Sequence, residues 1–175
     1  FRCNLVSVDE AGNLADFSGG HIAQTDAEAL IEHLNAHLAT DAIRVYPGVS
    51  YRTLLVLSGS DFSDRVYCEK PDDNSGNPFA EHLPVAADHS TAARETHATL
   101  RRLIAEAASV LPDAPVNQRA VSEGRPPANA IWPWSPGRVG SMRTLEARHG
   151  IRSAVISAVD VIKGLGRCLG MTVID

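Results

Sequence analysis

Apolar and polar positions repeat along this chain with two different periods, and the period switches often. Ala27, Leu30, Ile31, Leu34 and Leu38 recur every three or four positions, the stripe of an amphipathic helix. Thr25-Asp-Ala-Glu28 has capping-box spacing and is expected to start that helix. A second stripe, Leu100, Leu103, Ile104, Ala107 and Leu111, predicts a helix over about 90–110 that Pro112 ends. Shorter helices are expected over 116–123, over 141–149 with Gly150 as the stop, and over 159–169. Period-two stretches predict strands over 4–8 and 14–18 joined as a hairpin, and over 43–49 and 53–57 around Pro47-Gly48. Residues 154–158 are apolar apart from Ser157 and read as a strand of the type buried on both faces, and 171–174 read as a closing strand. Strands and helices mix without strict alternation. The fold class expected is therefore α+β, a mixed α/β sandwich in which helices pack on a mixed β-sheet, as a single domain over 1–175.

The segment 124–137 holds both tryptophans and four of the ten prolines. Trp132 and Trp134 flank Pro133, so in an extended chain both indoles point to one face. Pro126-Pro127 fixes the entry backbone and Pro136-Gly137 turns the chain out again, which predicts a rigid, Trp-anchored edge strand. The stretch 69–84 is rich in Pro, Asp, Asn and Gly and reads as a long surface loop.

Composition narrows the class of protein. A chain of 175 residues with 44% hydrophobic and 21% charged residues is long enough to bury a real core. A formal charge of −5 gives no basis for nucleic acid or an anionic membrane as partner. Three widely spaced cysteines without a C-x-x-C argue against a disulfide scaffold or a structural zinc site and fit a reducing cytoplasm. No apolar run approaches the roughly twenty residues that span a bilayer, and no signal peptide is read. The absence of an initiator methionine suggests a piece cut from a longer protein.

Several constellations invite a chemical reading. His33 and His37 have the spacing of a two-histidine metal face, but no glutamate lies between them, and both are expected to face solvent. Gly164, Gly166 and Gly170 imitate a dinucleotide fingerprint with no room for the unit that should follow, so close helix packing is the better account. Arg2 and Asn4 point to one side of a strand and Arg52 heads another, which on residues alone describes a polar outer face. Asp160 and Lys163 share a helix face after the apolar strand, either as a salt bridge or with Lys163 placed to hold an oxyanion. Arg125 is expected to dock against the Trp segment. No G-x-S-x-G, no Ser-His-Asp arrangement and no two-metal carboxylate cluster is legible.

The wording of several blocks adds a resemblance. Pro126-Pro-Ala-Asn129 with Ile131-Trp132 and Trp134, Phe1-Arg-Cys-Asn4, Tyr46-Pro-Gly-Val-Ser-Tyr-Arg52, Ser153-Ala-Val-Ile-Ser-Ala-Val-Asp160 with Ile162-Lys-Gly-Leu-Gly166, and Gly170-Met-Thr-Val-Ile-Asp175 stand in order along the chain. Together they resemble the archaeal-type, cofactor-independent phosphoglycerate mutases of the alkaline phosphatase superfamily. One block departs: Pro71-Asp-Asp-Asn-Ser-Gly76 has Asp72 where that family usually shows histidine, while Asp73 keeps its place.

The resemblance implies the inserted, substrate-covering domain of such an enzyme, with the last ~20 residues possible as the return into the catalytic core. It implies Arg2, Asn4, Arg52, Asp73, Asp160 and Lys163 as substrate contacts, with no catalytic nucleophile and no metal in this piece. A serine and two divalent metals, commonly manganese, belong by the same implication to a core domain of the same polypeptide, acting on 3-phosphoglycerate. A homoserine kinase-like phosphotransferase and a non-catalytic dimerisation module that uses the tryptophans stand as alternatives.

Overall fold

The computed structural model describes every residue except Val139 and Asp175, and all side chains but that of Asp160 among the rest. It divides into two compact units, Phe1–Arg138 and Val139–Asp175. The class is α+β, as the mixed periods predict.

The first unit is built on an antiparallel sheet. Its elements are β1 (Arg2–Val8), β2 (Leu14–Asp16), α1 (Gln24–Leu38), β3 (Ile43–Pro47), β4 (Arg52–Leu57), β5 (Val66–Tyr67), β6 (Val85–Ala86), α2 (Thr91–Val110), α3 (Pro115–Ser122) and β7 (Ala130–Trp134). β1 is central: Arg2–Asn4 pair with β4, Arg2–Val6 pair with β7, and Ser7–Val8 pair with β2. β3 lies beyond β4. β7 pairs with β1 alone, the edge placement that a strand containing Pro133 requires.

Alternation decides what each face of this sheet does. Cys3, Leu5, Ile43, Val45, Leu55 and Ile131 point to one side and form a core with Leu30, Leu34, Leu100 and Leu103 of α1 and α2. On the other side, Val6, Ala130 and Trp132 pack with Leu14, Phe17 and Phe79 under the loops. Cys3 is buried, Cys68 half-buried and Cys168 exposed, and all three thiols are free.

The double-proline segment is fixed by amides. Buried Asn117 donates to the Leu111 and Ala128 carbonyls and accepts from the Ala128 N–H. Asn129 continues the ladder by accepting from the Val8 N–H and donating to the Val8 carbonyl.

Local readings fare unevenly. α2 starts at Ser90, whose hydroxyl accepts from the Ala93 N–H. α1, in contrast, has no capping box: Ala23 is its N-cap and no side chain caps it. Gln24 instead anchors that end, donating to the Gly48 carbonyl and accepting from the Ser50 N–H. His33 does not face solvent: its ring nitrogen meets the Val110 carbonyl at 3.0 Å, binding the C-terminal end of α2, where carbonyls lack helical partners.

The second unit holds α4 (Leu145–His149), β8 (Ala154–Ile156), α5 (Asp160–Cys168) and β9 (Thr172–Ile174). β8 and β9 pair in parallel across α5, a small βαβ unit. Gly166 has the close-packing role expected of it: a Cβ there would meet Val155 Cγ1 at 2.5 Å. Thr144 caps α4 through the Ala147 N–H, and Gly150 ends it at φ 68°. The expected burial of β8 on both faces is not found in this unit. Ile156 is 79% exposed, and Val159, Val161, Ile162 and Leu165 are exposed as well, because two strands and two short helices cannot cover them.

No described helix is long and apolar enough to cross a membrane.

Candidate functional site: a ring-backed arginine face

The loop-covered face of the main sheet is only partly covered. Register places Trp134, Arg2, Leu54 and Tyr46 in one row across β7, β1, β4 and β3. The next row runs Trp132, Asn4, Arg52. Leu54 and Tyr46 are exposed, as are Arg2 and Arg52. Trp132 is 3% exposed, roofed by the edge of the Phe79 ring at 5.3 Å between centroids. Loops therefore close the Trp132 end of the face and leave the Arg2 end open.

Three guanidiniums on this open stretch lie over rings. Arg2 is 3.9 Å from the Trp134 ring centroid, Arg52 4.3 Å from Tyr51 and Arg44 5.9 Å from Tyr46. Each such contact is worth about 0.5–1 kcal/mol at an exposed site. Among the described residues none of the three makes an ion pair or a side-chain hydrogen bond. Some other arginines are neutralised: Arg119 pairs with Asp26 and Arg125 with Glu123, both at 2.6 Å. A guanidinium backed by a ring keeps its planar fork of N–H donors available at its edge, the geometry that takes a carboxylate or phosphate in two parallel bonds.

Asn4 organises this site from below. It is 4% exposed, donates to the Phe17 carbonyl at 3.0 Å and accepts from Trp134 Nε1 at 3.0 Å. Phe17 in turn meets Tyr51 edge-to-face, with centroids 6.0 Å apart. Asn4 thus fixes the rings that back the arginines, and its amide is engaged within the protein. Trp132 is likewise tied internally, donating to the Glu69 carbonyl.

The residues singled out from sequence separate into groups. Arg2, Asn4 and Arg52 come together on this face. Asp73 sits exposed in a 3-10 turn, Asp72–Asn74, whose loop is fastened to the β1–β2 hairpin through the bridge Asn13–Pro78 and the bond from the Gly76 N–H to the Leu14 carbonyl. The same loop is also held at Trp132, through the Glu69 carbonyl, and Asn74 donates to the Lys70 carbonyl beside it. Asp160 begins α5 and Lys163 lies in its first turn, in the second unit; the Asp160 side chain lies outside the described residues. Arg125 pairs with Glu123 instead of docking on the tryptophans. Sequence reading passed over Arg44 and Tyr51, although the alternation of 43–47 already placed Arg44 on the outward face.

Among the described residues no group of three or more His, Cys, Asp or Glu is placed to hold a metal ion.

Residues 1–117 match the family model described as 2,3-bisphosphoglycerate-independent phosphoglycerate mutase. The enzyme of that name from Methanosarcina acetivorans is 39% identical over all 175 residues, which cover 42% of its length. A second, phosphoglycerate mutase 2 from Methanothermobacter thermautotrophicus, is 42% identical over 171 residues, 98% of this chain and 40% of its own length. A solved structure of cofactor-independent phosphoglycerate mutase from Thermoplasma acidophilum superposes with a TM-score of 0.71 at 28% identity, covering all of this chain and 46% of that one. The chain spans less than half the length of these relatives. A match over residues 1–117, about two thirds of the chain, places it in the 2,3-bisphosphoglycerate-independent phosphoglycerate mutase family.

Proposed function

We propose that this chain is the substrate-covering part of a phosphoglycerate mutase that interconverts 3-phosphoglycerate and 2-phosphoglycerate. The observation that carries the reading is the open sheet face, where Arg2, Arg52 and Arg44 lie over rings without acidic partners in a protein of net charge −5. A small substrate with both a phosphate and a carboxylate offers two anions, each with a pair of oxygens that such a fork can bind. Family membership supplies the reaction class, and the face supplies a chemical reason for this part to take part in it.

The described residues do not provide a ligand set for the two divalent metals of the parent enzyme. Metal ligands and the phosphorylated serine belong, in this reading, to the rest of the polypeptide. Closing the arginine face over bound substrate excludes water, which would otherwise release the phosphoryl group as free phosphate. In this reading the last ~20 residues, within the unit Val139–Asp175, form the return toward that remaining part. The unit's parallel strands are mostly apolar and their end residues are exposed, and parallel strands are stable when both faces are covered. A homoserine kinase-like activity rests on the departure at Asp72 alone.

The full-length enzyme tests this directly. Arg2→Ala and Arg52→Ala should each lower kcat/KM for 3-phosphoglycerate by about 10–100-fold, the loss of a charge-assisted bond of 1.5–3 kcal/mol. The thermal midpoint should move little. Unchanged kinetics in both variants, or turnover of homoserine with ATP and none of 3-phosphoglycerate, would remove the reading.

A further inference from the structure

The turn that follows β2 carries a residue whose backbone is costly and whose side chain has no packing reason to be there. Three consecutive residues are left-handed: Gly19 at φ 62°, Gly20 at φ 73° and His21 at φ 55°. Glycine adopts this region freely, whereas a residue with a Cβ is held there at a cost of about 1–2 kcal/mol. The turn is clamped from outside. A Cβ on Gly19 would sit 2.9 Å from Ala128 Cβ, and one on Gly20 would sit 3.0 Å from Pro126 Cγ. The imidazole of His21 plays no part in that clamp, since its side chain is 86% exposed.

Hydrogen bonding nevertheless orients it. Ser18 is 1% exposed, and its hydroxyl lies 2.6 Å from Asp16 Oδ1. A carboxylate accepts only, so the single hydroxyl proton goes to Asp16. Ser18 Oγ then has two lone pairs left. One accepts from the His21 backbone N–H at 3.1 Å and the other faces His21 Nδ1 at 3.2 Å. Nδ1 must therefore carry a proton, and a neutral His21 presents Nε2 as a bare acceptor to solvent. Nδ1 also lies 4.0 Å from the second Asp16 oxygen.

The same turn is joined to the arginine face. The Phe17 carbonyl accepts from Asn4, the Phe17 ring meets Tyr51, and the Ile22 carbonyl accepts from the Ser50 hydroxyl in the turn that leads to Arg52. We propose that His21 Nε2 is the proton-exchanging group of this site, acting on the substrate hydroxyl that receives the phosphoryl group. This rests on the mutase reading above. As the hydroxyl oxygen bonds to phosphorus, its proton passes to Nε2. The bond from phosphorus to the core serine breaks, and its electron pair stays with the serine oxygen. In the reverse transfer Nε2 returns the proton. Asp16 and Ser18 are positioning residues that hold the Nδ1–H form.

The test is His21→Gly in the full-length enzyme, because glycine suits φ 55° and separates fold from chemistry. Its thermal midpoint should equal or exceed that of the wild type, while kcat falls about 100-fold or more, the usual contribution of a positioned proton acceptor. KM should change little. Added imidazole should restore part of kcat in His21→Gly and leave the wild type unaffected. Ser18→Ala should give a smaller loss of kcat, and 15N spectra of the wild-type ring should report the proton on Nδ1. An active His21→Gly, a loss that imidazole does not relieve, or a neutral ring protonated on Nε2 would overturn the proposal. If the wild type itself does not act on 3-phosphoglycerate, the mutase reading fails and this role falls with it. An active wild type beside an equally active His21→Gly sinks the proton role alone.

Discussion

The two faces of the main sheet are made by the same strands and differ in nearly everything else. Toward α1 and α2, alternate residues of β1, β3, β4 and β7 are aliphatic or small and close into a continuous core. On the opposite face the intervening residues of those strands include Arg2, Arg44, Arg52, Tyr46 and Trp134, with solvent at one end and loops at the other. One face holds the unit together, and the other presents charge on a rigid backing. Shifting β1 by one residue would exchange the two sets, so the register that buries Leu5 is also what aims Arg2 outward.

Breaking the covered face should have the largest effect. Leu55→Ala removes a fully buried side chain and should lower stability by about 2–5 kcal/mol, read as a shifted denaturation midpoint. A smaller effect comes from Cys3 on the same face. Burial pushes its thiol up to about 12, while its ordinary value is 9.0. The unfolded chain then loses this proton more readily than the folded one. The stability tied to the neutral thiol is present below pH 9 and is lost as pH rises from 9 toward 12. At pH 10.5 the loss should approach about 2 kcal/mol at 1.36 kcal/mol per pH unit. Cys3→Ala should show a shallower alkaline decline, and identical profiles would contradict this account.

The open face should answer most weakly in stability. Trp134→Ala should cost the Arg2 contact of about 0.5–1 kcal/mol together with the bond to Asn4, and Trp134→Phe should recover the ring contact but not the hydrogen bond. If Trp134→Phe restores substrate affinity in the full-length enzyme, the ring is what holds Arg2. Equal defects in both variants would instead assign the effect to Asn4.

Much of this contrast could be read from residue order. The alternation of 2–6, 43–47 and 52–57 sorts the side chains onto the faces they occupy, and the stripes of α1 and α2 fall where periodicity puts them. Tertiary bonding is what the sequence hid. Thr25 has the right spacing for a cap, yet Gln24 is drawn to Gly48 and Ser50, some two dozen residues along the chain. His33 looked like a surface histidine because nothing local shows that α2 ends beside it. Asp73 is named by wording alone, and nothing in residue order shows that its loop is fastened to the hairpin. His21 escaped notice because its meaning lies in a positive φ and in a hydroxyl three residues earlier, neither of which a periodicity or a family motif displays.

The uneven shielding of the three thiols has a practical corollary. Cys3 is sealed, Cys68 is half-covered with its thiol pushed up to about 11, and Cys168 stands open in the second unit. At neutral pH a maleimide dye should label Cys168 first without any cysteine being removed. Both indoles sit in the first unit, so energy transfer from tryptophan to that dye would report directly, in solution, whether the two units change separation when a phosphorylated acid is added.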